Sequence, residues 1–241
     1  MAYHRFLLEF RSLADWSAPS TGFALVDLLE SRGLRIERAD DHEPIRKIFN
    51  PSSSFWVPPG SAGSGMEYAS SLFLFRGGKG LKFSGMAVWR KNLPPGTTVF
   101  SSLHIWISRT PRPTPDFVTE LADALFVWAD ATSGFVTDEA LDKPLSRPPE
   151  QRKYLSGLYW LNYFGPTYLS EPDFMLLPGS TPVGRGIRWS PGGDYDDPRL
   201  KDDAYLSARK LEIGAGWFAE GSQASWRLPK LDFSSLCRPE I

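Results

Sequence analysis

Residues 70–76, 81–90 and 97–108 are three segments rich in β-branched and aromatic residues, separated by Gly77-Gly78-Lys79-Gly80 and by a six-residue stretch ending in Pro94-Pro95-Gly96. Connections that short leave no room for a crossover helix, so consecutive segments must pair antiparallel as a meander. In the third segment Val99, Leu103, Ile105 and Ile107 fall on one face, and Phe100, His104 and Trp106 on the other. Both faces of such a strand need at least partial cover, and a helix packing there is expected.

The flanking sequence supplies helices. Thr114 as cap and Pro115 at the first helical position open one in which Phe117, Leu121, Ala124, Leu125 and Trp128 form an apolar side. A second helix is expected at about 22–32, capped by Thr21, ended by Gly33 and striped by Phe23, Val26 and Leu29 beside Leu25 and Leu28. Before it, His4, Phe6, Leu8 and Phe10 alternate with Arg5, Glu9 and Arg11, the period of a half-buried strand, with Leu7 as the exception.

Further strands are expected at 34–38, 158–163, 174–177 and 186–189, a short helix at 202–211, and an ambiguous stretch at 216–226. The Pro-, Ser- and Gly-rich 50–66 reads as an irregular connection, and 131–153, with Pro144, Pro148 and Pro149, as a surface crossing. Together these elements predict an α+β protein, a mostly antiparallel sheet with a few packed helices, forming a single domain over 1–241.

Charge excludes some partners. Lys plus Arg total 27 and Asp plus Glu 28, a net charge of -1 that offers no broad electrostatic footprint for nucleic acid or an anionic membrane. Cys237 is the only cysteine, so neither an intrachain disulfide nor a thiolate metal cluster can form. Glu9 and Arg11 interrupt the apolar start that a secretory signal would need, and a cytoplasmic protein is expected.

Catalytic and cofactor motifs are missing from the sequence. His4, His42 and His104 lack zinc-binding spacing, and no G-x-S-x-G elbow marks a nucleophile. Gly77–Gly80 leads into a strand rather than a helix, so it reads as a hairpin loop and not a phosphate cradle, and 60–65 lacks the strand-to-helix context of a dinucleotide site. Asp194-Tyr195-Asp196-Asp197 is dense enough for a hard cation, but Arg199 stands where a calcium loop needs glycine and no Glu closes the loop. No cofactor, metal or catalytic residue is therefore assigned.

What remains are candidate contact residues for a basic protein partner. Asp40, Asp41 and Glu43 form one acidic group and Asp194, Asp196 and Asp197 another, while Trp56, Trp189 and Tyr195 lie in irregular surroundings where aromatics commonly anchor interfaces.

Residues 154–169, Tyr154-Leu155-Ser156-Gly157-Leu158-Tyr159-Trp160-Leu161-Asn162-Tyr163-Phe164-Gly165-Pro166-Thr167-Tyr168-Leu169, combine an aromatic strand with an abrupt Gly-Pro stop. This segment resembles bacterial immunity proteins of polymorphic toxin and type VI secretion systems, particularly the immunity protein 52 family, in which an "NYFGP"-like turn recurs. The resemblance implies a non-enzymatic protein that occludes a cognate toxin, a nuclease of the restriction-endonuclease type. It implies a protein partner, a homodimer is a further expectation, and the balanced charge already argues against nucleic acid and membrane. From another class, a small hydrolase or transferase would assemble a nonlocal site around His104 and a nearby carboxylate.

Overall fold

A computed structural model describes residues 5–56, 70–94, 96–108, 110–139, 153–175, 177–220 and 222–237. The described strands are β1 (Arg5–Ser12), β2 (Arg38–Asp40), β3 (Ser70–Gly77), β4 (Phe83–Arg90), β5 (Ser101–Ser108), β6 (Ala131–Asp138), β7 (Leu161–Phe164), β8 (Thr181–Val183) and β9 (Gly186–Trp189). Five helices accompany them: α1 (Pro19–Ser31), α2 (Pro115–Trp128), α3 (Pro166–Leu169), α4 (Pro172–Met175) and α5 (Asp203–Ile213). All strands join one sheet in the order β2-β3-β4-β5-β1-β6-β7-β9-β8, each neighbour antiparallel. The α+β architecture read from the sequence is what forms, and the expected meander is β3-β4-β5.

Alternation gives the sheet two faces. Phe6, Leu8 and Phe10 of β1 lie beside Leu103, Ile105 and Ile107 of β5 and under Leu25 and Leu29 of α1 and Leu121 and Leu125 of α2, all fully buried. On the other face α3, α4, α5 and the turns beyond them cover β7 and β9, with Phe164, Tyr168, Phe174, Trp189, Ile213 and Trp217 as a second core. Strand β7 serves both, because Tyr163 points into the first core and its neighbour Phe164 into the second.

The chain entering and leaving β7 is fixed by hydrogen bonds on one side and close packing on the other. Buried Asn162 accepts from the Tyr159 N–H at 3.1 Å and donates to the Tyr159 carbonyl at 2.8 Å, and a Cβ on Gly165 would stand 2.2 Å from the Ala131 carbonyl oxygen. Pro166 then occupies the first turn of α3, where its missing N–H costs nothing.

Several sequence expectations change. Helix α1 begins earlier, at Pro19, with Ala18 and not Thr21 at the cap position, and Phe23 faces solvent while Gly22 lies against the Trp56 ring. In α2 the capping Thr114 is as expected, but the buried stripe is Val118, Leu121, Ala122, Leu125 and Phe126, one position round from the expected side. The predicted strand at 34–38 forms only at Arg38–Asp40, and Phe174 and Met175, expected in a strand at 174–177, lie in α4, which Pro172 starts.

The largest change is at 131–153. Ala131–Asp138 is an inner strand, hydrogen-bonded to β1 on one side and β7 on the other and buried along most of its length, and the prolines that suggested a crossing all lie beyond it, outside the described residues. The expected loop features at 60–65, and His4, also lie outside the described residues. Among the described residues no helix is long and apolar enough to cross a membrane.

Candidate functional site

The first acidic group sits on a return of chain at the sheet edge, where residues 47–49 fold back on β2. Asp40 is buried and committed inside it: its carboxylate meets the Lys47 ammonium at 2.8 Å and the backbone N–H of Asp41 at 3.0 Å. The Lys47 hydrogen bond holds this carboxyl well below the usual range. Asp40 is therefore a loop organiser and not a free contact residue, whereas Asp41 and Glu43 are exposed beside it. Asp40, Asp41 and His42 bring three ligand atoms within 4.8 Å of one another, and the Lys47 ammonium already sits against both carboxylates, at 2.8 and 3.4 Å.

The second group lies on the loop after β9. Asp197 is tied to Arg199 by ion pairing and accepts from the Gly193 N–H at 2.8 Å, and these contacts hold its carboxyl well below the ordinary range. Asp196 pairs with Arg112, which also donates to the Tyr195 hydroxyl. The Asp194 carboxylate accepts from the Tyr195 N–H at 2.7 Å, its carbonyl accepts from the Asp197 N–H at 2.8 Å, and the residue is exposed, with no cationic partner among the described residues.

The three aromatic candidates are core residues. Trp56 is 2% exposed and stacks on Trp89 with ring centroids 3.9 Å apart, Trp189 is 2% exposed in the second core, and Tyr195 packs edge-on to Phe6 and Trp160. Burial removes them as exposed anchors. The sequence misled because turn-rich chain lying over a core looks like turn-rich chain in solvent.

Asp194 lines an open cleft of about 310 Å³ whose other walls are Pro115 and Thr119 of α2, Leu161 of β7, Arg188 of β9 and Ser190. Arg188 is held back in its floor by an ion pair with Asp123, which also accepts from the Tyr163 hydroxyl at 2.8 Å. Burial, and then the Asp123 charge, push the Tyr163 hydroxyl to a higher pKa, so it remains a proton donor. Reading the sequence missed Asp123 and Arg188. The available signal was a charged residue inside each of two otherwise core-forming elements.

On the opposite face of the sheet, register places Glu9 directly opposite His104. Glu9 pairs with Arg11 at 2.7 Å and approaches the His104 Nδ1 at 3.6 Å, and Arg11 reaches on to the Ser156 hydroxyl at 2.9 Å. Burial opposes the Glu9 charge, but Arg11 and His104 outweigh it and hold the carboxyl below 4.5. Burial, assisted by the Arg11 charge and opposed by Glu9, lowers the imidazole below 6.5. The cavity beside Glu9 and Arg11 is about 20 Å³, room for one water.

Sheet and sites together define an α+β protein with a solvent-facing cleft on its α2 side and an enclosed ionic group on the other. No family model matches the chain, and no curated protein matches it. Among solved structures, one described as a Pseudomonas aeruginosa T6SS protein is matched at 13% identity with a TM-score of 0.49, over 88% of this chain and 75% of that one.

Proposed function

We propose that this protein is a non-enzymatic immunity protein that binds a cognate toxin and neutralises it by occlusion, the toxin being a nuclease of the restriction-endonuclease type. The observation that carries the reading is the contrast between its two ionic sites. Of Glu9 and His104, the pair a hydrolase or transferase would recruit, Glu9 lines a cavity with room for one water, whereas the carboxylate of Asp194 stands at the wall of an open cleft. Catalysis needs substrate at the acid–base pair, and binding needs only a surface. The likeness of residues 154–169 to immunity protein 52 sequences points the same way.

An inhibitor of a lethal enzyme must bind tightly, which calls for an interface of about 1,600 Å² with a few dominant contacts. Co-expression with the product of the adjacent gene tests the proposal. Restored growth together with a co-purifying complex is the expected result; toxicity that persists with no complex formed would overturn it.

A further inference from the structure

We infer that the cleft between α2 and β9 receives a lysine or arginine side chain presented by the protein partner, an assignment that rests on the inhibitor reading above. The occupant is argued from the balance of charge. The lining contains one cation, Arg188, and its ion pair with Asp123 leaves that pair neutral. Asp194 is the one carboxylate in the lining, is exposed, and has no cationic partner among the described residues.

The neighbouring chain does not cancel this excess. Asp196 is matched by Arg112 and Asp197 by Arg199, so neither of these pairs contributes net charge to the mouth. Thr119, Thr181 and Ser190 line the same cleft with hydroxyls, and Ser190 donates to the Gly192 carbonyl at 3.0 Å, which leaves its oxygen lone pairs as acceptors. Acceptors and a net negative mouth suit an ammonium or guanidinium, groups that only donate. A volume of about 310 Å³ accommodates one long side chain with room for bridging water.

This gives a sharper division of the acidic residues than density of charge does. Asp194 makes the contact, while Asp196 and Asp197 shape the loop that holds it.

The test is a titration of the full ¹⁵N-labelled chain with a short peptide of alternating lysine and arginine, with a matched glutamate peptide as control. Amide shifts at Thr119, Arg188, Gly193 and Asp194 are expected with the basic peptide alone. Asp194→Lys should weaken binding by about tenfold or more, and Glu30→Lys, the same change of charge on α1, should leave it unaltered. Absence of shifts at these amides, equal binding of the glutamate peptide, or indifference to Asp194→Lys would overturn the assignment. The two proposals fail separately. A partner that rescues growth yet binds Asp194→Lys unchanged removes the cleft and leaves the inhibitor, whereas basic-peptide binding without rescue removes the inhibitor and leaves the cleft.

Discussion

Arg11 places its guanidinium between the Glu9 carboxylate and the Ser156 hydroxyl, beneath the segment that leads into β7. Arg11→Met strands a largely buried anion and should cost about 3 kcal/mol in urea unfolding. The double variant Glu9→Leu/Arg11→Met should recover most of that loss, because the cost lies in leaving one charge unpaired. Acid should reveal the same cluster. Glu9, with its folded pKa below 4.5, contributes stability that is present above that pH and lost as pH falls through the folded value. His104, lowered from 6.5, binds its proton more readily when unfolded, so stability also declines as pH falls below 6.5. Unfolding free energy should therefore fall in acid, and His104→Gln should flatten the part near 6.5 while keeping the lower part.

At the scale of elements, α1 sets two effects against each other. Gly22→Ala would gain about 1 kcal/mol of helix propensity, yet its Cβ would meet the buried Trp56 ring at 2.5 Å. The ring is stacked on Trp89 and cannot yield, so the variant should be less stable by about 1–3 kcal/mol in thermal or urea unfolding. Thr114→Ala removes the hydroxyl that accepts from the Phe117 N–H and should cost α2 about 1 kcal/mol.

These elements also show what the sequence could carry. The meander and the start of α2 were legible because glycine and proline connections and a Thr-Pro cap act locally. The inner position of β6 was not, because it depends on pairing with β1 across more than a hundred residues of chain. The candidate site divides likewise. Asp194 was visible as a charge, but the cleft beside it needs α2, β7 and β9 brought together, and the burial of Trp56, Trp189 and Tyr195 is decided by what lies over them.

Across the whole molecule, the two cores are joined through β7, whose alternate side chains belong to one and the other. Trp217 packs on Phe174 at 5.1 Å and donates to Asp173 at 2.9 Å, so Trp217→Ala should cost about 3–5 kcal/mol. The loss should move a single transition rather than split it, with far- and near-ultraviolet dichroism coinciding through unfolding. Two separated transitions would show that the layers are energetically independent.

The place of β1 between β5 and β6 has a consequence during synthesis. A ribosome delivers β1 well before either partner exists, and the strand's two hydrogen-bonding edges stay open while the intervening chain is made. At roughly 5–20 residues per second, the wait for β6 is on the order of ten seconds. Phe6, Leu8 and Phe10 must be kept from other partners throughout that interval, so a nascent chain stalled ahead of residue 131 should be a better chaperone substrate than one released after β6 has emerged.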